Sequence, residues 1–309
     1  MILTNSTGLP DTLVRVTERV VNGHPAMDDS TFSVTELLKG TKELILARRH
    51  RDELQMDVQQ AFSLWSGSAV HALLEAASTD YECLAEKRFS LNLGMWDGSL
   101  EGKWLSGSPD FYDPKTGTLY DYKDTKVAQY DRASTLADPD WLYQTLAYAH
   151  MLRDVGYRVE HITIVAMMKD HSAIKAETTA GYPRFPIQTI SYDKYIWDGE
   201  MDAEMKGLFT NKVHEVLNMR ELEDDVIPPC TPEERFEDED WALMKPGTKK
   251  AFRRFKSREE AELALEAIGR GGMEVVHRPG DPKKCRLYCS CAPFCSFYRD
   301  HIAKREDAV

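Results

Sequence analysis

The 309-residue sequence contains no run approaching the roughly 18–20 uninterrupted apolar residues that a membrane span needs, so no transmembrane helix and no membrane partner are expected. The segment Met1–Val16 lacks the basic, then apolar, then small-residue layout of a secretory leader, which makes a cytoplasmic location the expectation. Internal repeats and low-complexity tracts are absent. Positive charge is in short supply: 39 Lys and Arg stand against 51 Asp and Glu, a net charge of −12, so the chain as a whole lacks the basic footprint usual for a phosphate binder. Cysteine is missing from the first 82 residues.

An apolar share of 42% is enough for a packed core in one large domain, or in one domain with an appendage. The charge is segregated. Ten acidic residues crowd into 221–240, while 245–258 holds seven Lys and Arg and no acid; a second basic cluster comprises Lys39, Lys42, Arg48, Arg49 and Arg51. Charge runs are as a rule solvated faces, and this segregation leaves room for a local phosphate-binding strip.

Ser33-Val-Thr-Glu36 has capping-box spacing and predicts a helix through Ala47. A second helix is predicted from Met56 to Ala77, then strands over 86–93, 104–113 and 118–125, the last two joined by a tight turn at Pro114–Gly117. A helix opening at Pro139-Asp140 and the apolar run Ile162–Met168 read as a crossover into a buried parallel strand. A strand near 186–190 and a helix over 202–218 follow. The acidic stretch with Pro228-Pro229 marks a boundary, so residues 1–220 are expected to form the core and 221–309 a β-rich, cysteine-bearing appendage.

Side chains alternate across a strand, so Asp121 and Lys123 share a face with Tyr122 turned away. Asp110, on the preceding strand of the proposed hairpin, is brought alongside. Two carboxylates and an ammonium at one end of a sheet suit a hard divalent cation, Mg²⁺ or Mn²⁺, acting on a phosphodiester. Ser106-Gly-Ser-Pro-Asp110 supplies a small, flexible approach to the first acid.

These residues, with two more segments, resemble the RecB-like nucleases of the PD-(D/E)XK superfamily. Gly67-Ser-Ala-Val-His71 is similar to that family's Gly-x-x-x-His helix. Gly107-Ser-Pro-Asp110 and Asp121-Tyr-Lys123 are similar to its two strand motifs, and Gln144-Thr-Leu-Ala-Tyr148 to its Gln-x-x-x-Tyr helix. The resemblance covers roughly residues 30–220. It implies an α/β restriction-endonuclease-like core, a mixed central sheet flanked by helices. It further implies that His71, Asp110, Asp121 and the Tyr122 carbonyl hold the metal, that Lys123 serves the attacking water, and that Gln144 and Tyr148 contact DNA or buttress the site. Glu86 is read as a support for the metal through the lysine or a water.

Of six cysteines, Cys285, Cys289, Cys291 and Cys295 lie within eleven residues, Cys230 stands upstream, and Cys83 reads as a packed core residue. Such clustering points to metal or redox chemistry before disulfides. It resembles the [4Fe–4S] site of several RecB-like exonucleases, including CRISPR-associated and phage types; Zn²⁺ is the alternative. Many of those proteins place the first cysteine early, where this chain has Gly40-Thr-Lys. Cys230 is therefore taken as the fourth ligand beside Cys285, Cys289 and Cys295, with Cys291 its rival, and Tyr288, Pro293 and Phe294 as the shield. The expectation is a metal-dependent DNA exonuclease serving recombination, repair or phage DNA processing, with DNA and a recombination or repair protein as partners. The alternative is an inactive nuclease fold that binds nucleic acid.

Overall fold

The computed structural model describes residues 1–22, 28–78, 82–196, 198–248, 250–269 and 272–304; Lys249 of the basic strip and the end of the polar tail lie outside them. The chain is an α/β protein of mixed sheets flanked by helices. It divides into two compact units, Met1–Lys39 with Asp52–Arg220, and Gly40–Arg51 with Glu221–Val309.

The segment Gly40–Arg51, which the sequence assigns to the first unit, therefore belongs to the second, and the cause is local. The capping box forms: Ser33 Oγ accepts from the Glu36 N–H, and the Glu36 carboxylate accepts from the Ser33 N–H. The helix it starts nevertheless ends at Leu37, and a separate helix, Thr41–Arg49, begins after Gly40. A Cβ at position 40 would stand 2.5 Å from Cys230 Sγ, so only glycine allows Cys230 to pack at this helix start.

In the first unit, a five-stranded sheet runs in the order Ile187–Ser191, His161–Met168, Thr118–Thr125, Phe111–Asp113, Leu84–Ala85. Thr118–Thr125 and His161–Met168 are parallel; the other neighbours are antiparallel. The parallel step is bridged by helices Val127–Ser134 and Asp140–Asp154, as a crossover of this length requires. His161–Met168 buries Ile162, Ile164, Ala166 and Met168 in alternation. Helix Asp140–Asp154 is buried along most of its length, because it packs against Thr118–Thr125 and also against helix Gly199–Met219.

Two predicted strands are each split. Over 104–113, Pro109 has no N–H to offer a ladder and restrains the residue before it. Trp104–Gly107 accordingly joins Thr31–Ser33 and Phe89–Asn92 in a small second sheet, while Phe111–Asp113 pairs with Thr118–Thr125. Over 86–93, Glu86 is left-handed at φ +50°, separating Leu84–Ala85 from Phe89–Asn92. The predicted helix from Met56 starts later: Gln55–Asp57 pairs with Ile2–Thr4, Asp57 caps a short turn, and the helix is Phe62–Ser78.

In the second unit, Arg253–Phe255, Asp240–Met244 and Glu274–Arg278 form an antiparallel sheet, with helix Arg258–Ala267 packed on it. Part of the basic strip is neutralised locally, Arg254 by Asp240 and Arg258 by Glu262. Among the described residues, no helix is long and apolar enough to cross a membrane.

Gly107 sits flush against the Tyr148 ring, where a Cβ would overlap it, and Tyr148 is itself only 4% exposed. Gly107→Ala should thus lower the unfolding free energy by about 1–3 kcal/mol in urea denaturation. Gly107→Ala with Tyr148→Ala should cost less than the sum of the two single changes; strict additivity would mean that the ring is not the obstacle.

Candidate functional site

Asp110 follows Pro109 at the point where the chain leaves one sheet for the other, and this places its carboxylate beside the centre of the Thr118–Thr125 strand. The Tyr122 N–H donates to Asp110 Oδ2 at 2.7 Å, which ties the two strands together at the site. His71, from helix Phe62–Ser78, presents Nδ1 2.8 Å from Glu86 Oε1 and 3.5 Å from Asp110 Oδ1. Glu86 adopts its left-handed backbone here, a conformation that costs energy in a non-glycine residue and is found preferentially at functional positions. Its N–H also reaches the Asp110 carbonyl at 3.3 Å.

Asp121 lies fully buried. Lys123 Nζ approaches its Oδ2 to 2.7 Å as an ion pair, yet without hydrogen-bond geometry, and among the described residues Oδ1 meets no donor. Lys123 is held from the other side by Gln144 Oε1 at 2.8 Å, and Gln144 Nε2 in turn donates to the Tyr148 hydroxyl at 3.0 Å. The i, i+4 spacing of Gln144 and Tyr148 makes this relay possible on one helix face. Both side chains are buried, at 9% and 4% exposure, so the geometry makes them supports of Lys123 and leaves neither on the surface as a DNA contact.

Three carboxylates, Glu86, Asp110 and Asp121, thus converge with one lysine and one histidine. Burial, and next the negative charge of Asp121, push the Asp110 carboxyl up to about 7 against the pull of Lys123 and His71. The hydrogen bond to Glu86 raises His71 above its ordinary range. Among the described residues, His71, Glu86 and Asp110 form the one group of three ligand-type side chains whose ligand atoms all lie within 4.8 Å of one another. Asp121 stands outside that group, and Glu86 takes a place at the histidine that the sequence had given to a lysine- or water-mediated support. Its signal was faint: a single acid ahead of Lys87, with no motif around it.

In the second unit, one cavity is walled by Cys230, Cys285, Cys289, Cys291 and Cys295, so Cys230 and its rival face the same space. No three of these sulfurs lie within 4.8 Å of one another. Burial pushes the Cys230 thiol up to about 11 and the Cys285 thiol up to about 12. Contact with Cys291 lowers the Cys289 thiol and raises that of Cys291, whose S–H donates to the Glu43 carbonyl at 3.5 Å. The rest of the wall includes Leu46, Phe297 and Tyr298. The expected shield differs: Tyr288 is 69% exposed, and Phe294 is spent stacking on His50. Cys83 is half-buried and directs its S–H at the Ser78 carbonyl, apart from this cavity.

No family model and no curated protein matches the sequence. Among solved structures, one described as "Crystal structure of SSO0001" aligns with 66% of this chain and 86% of its own, at 13% identity and a TM-score of 0.46. A likeness of that degree carries no argument about this chain; the α/β class rests on its own strands and helices.

A pH dependence follows from the Asp110 and His71 shifts. A carboxyl raised in the folded state holds its proton more tightly than in the unfolded chain, so the metal-free protein loses stability as pH rises from the ordinary carboxylate range through about 7. Metal ligation needs Asp110 ionised and His71 neutral, both of which higher pH favours. The rise in melting temperature on adding Mn²⁺ should therefore be larger at pH 8 than at pH 6. An equal or smaller rise at pH 8 would contradict the assignment of these ligands.

Proposed function

We propose that the protein is a metal-dependent deoxyribonuclease of restriction-endonuclease-like fold, cutting phosphodiester bonds at the Asp110, Asp121 and Lys123 centre. The observation that carries this reading is the buried Asp121 carboxylate with an orphaned oxygen, set beside His71, Glu86 and Asp110. Lys123 pairs with Asp121, yet three clustered carboxylates outnumber that one ammonium, and an oxygen-rich set with one imidazole suits Mg²⁺ or Mn²⁺. His71, Glu86 and Asp110 would hold the ion, with Asp121 at its edge. A divalent cation held there acidifies bound water and offsets charge on the scissile phosphate.

The remaining work falls to the protein. Lys123 has three donors; one is taken by Gln144, and a second faces Asp121, which leaves one for a water or a phosphate oxygen. Because Gln144 is fixed by Tyr148, the ammonium is pre-positioned and no reorganisation is needed as charge develops. Preference for DNA ends comes from the RecB-like resemblance.

For the cysteines, the same reading gives a metal centre on Cys230, Cys285, Cys289 and Cys295. A single zinc ion would draw four sulfurs to about 3.8 Å apart. The cavity offers enough thiols for either centre, and the RecB-like resemblance favours a [4Fe–4S] cluster.

With Mg²⁺ or Mn²⁺, the protein should degrade linear DNA and spare closed circles. Lys123→Ala and Asp110→Ala should each slow cleavage by about 10²-fold or more, the scale of losing one stabilising group. Glu86→Gln should raise the metal concentration needed for half-maximal rate. Cleavage unchanged in both alanine variants would end this reading.

A further inference from the structure

Lys42 reads from the sequence as one of a cluster of solvated basic residues, yet it is 1% exposed. Its Nζ donates to the Ile227 carbonyl at 2.7 Å and to Ser296 Oγ at 2.9 Å, both neutral, and among the described residues it makes no ion pair. The same residue lines the cysteine cavity, and Ser296 directly follows Cys295. Arg235, also on that wall, is matched by Glu237, and the wall's Glu43 is matched by Lys284 at 2.7 Å. Lys42 is the cation of these three whose hydrogen bonds go only to neutral groups.

A neutral donor would make the same two hydrogen bonds without the cost of removing an ammonium from water, which is several kcal/mol in real proteins. A lysine at this place is therefore justified only by negative charge in the cavity. The carboxylates there are already engaged, and the thiols acquire charge when a metal replaces their protons.

We propose that Lys42 is the built-in counter-charge of the cysteine metal centre: a buried ammonium left unbalanced by the folded chain and balanced by the thiolates once metal is bound. The inference rests on the cysteine reading of the preceding subsection and holds for zinc as well as iron–sulfur, since either centre with four thiolates is anionic. Lys42 is a positioning residue in this account. It touches no reacting group, and it favours the loaded state and, for a cluster, the reduced form.

The test uses the full chain, purified without oxygen. Iron, sulfide and zinc are first measured on the unaltered protein; absence of any thiolate-bound metal defeats the cysteine reading, and the Lys42 role with it. Lys42→Met is then compared with Ser296→Ala, which removes a hydrogen bond but no charge. The metal-free Lys42→Met protein should melt at a higher temperature than the metal-free unaltered protein, because an unbalanced charge has been removed. The loaded variant should instead lose its metal to a chelator about tenfold faster. An iron–sulfur centre should also become about tenfold harder to reduce at fixed potential, a shift of about 59 mV for one electron. Ser296→Ala should leave both metal loss and potential unchanged. A Lys42→Met protein destabilised in both forms, or unable to fold, would overturn the proposal in favour of a simple structural pin, as would a Ser296→Ala protein that reproduces the effect.

Discussion

The buried carboxylate of Asp121 is the constraint to which the first unit is organised. Among the described residues neither oxygen finds a hydrogen bond, although Lys123 stands 2.7 Å from one of them. The parallel pairing of Thr118–Thr125 with His161–Met168 and the helix packed on that strand leave Asp121 at 0% exposure. The surrounding polar network then has one purpose. Gln144 and Tyr148 hold the lysine, the Tyr122 N–H holds Asp110, and His71 is aimed by Glu86. Each of these contacts fixes a charged member of the cluster around Asp121.

The cysteine cavity shows the opposite imbalance. There an ammonium is buried with neutral partners only, beside five thiols that are uncharged while protonated. On the proposed reading, a cation would complete the first site and an anionic thiolate centre the second. Both proposals rest on a local excess of buried charge, of carboxylates in the first unit and of an ammonium in the second, which a bound metal centre would offset.

Much of this was legible in the sequence, for reasons that are local. Asp121-x-Lys123 could be placed on one face because strand periodicity is strict, and Gln144 with Tyr148 because a helical turn brings i and i+4 together. The crossover into Ile162–Met168 followed from an apolar run behind a helical segment. What was not legible depends on tertiary neighbours. Glu86 carries no motif, and its approach to His71 requires a left-handed backbone that composition does not announce. Pro109 splits one expected strand between two sheets, a choice decided by the partners on either side. Gly40 stands at the start of helix Thr41–Arg49, where Cys230, distant in sequence, takes the space that a Cβ would fill. Lys42 sits among exposed basic residues in sequence, and only the packing of helix Thr41–Arg49 reveals that it points inward.

The central claim is that His71, Glu86 and Asp110 together hold a divalent cation. Crystals of the protein soaked in Mn²⁺ and measured at a wavelength where manganese scatters anomalously would locate the ion directly. The account predicts an anomalous peak within bonding distance, about 2.0–2.3 Å, of the His71 imidazole and of the Glu86 and Asp110 carboxylates. A site left without manganese while the ion binds elsewhere, or His71 and Glu86 still paired to each other with the metal on other side chains, would contradict it.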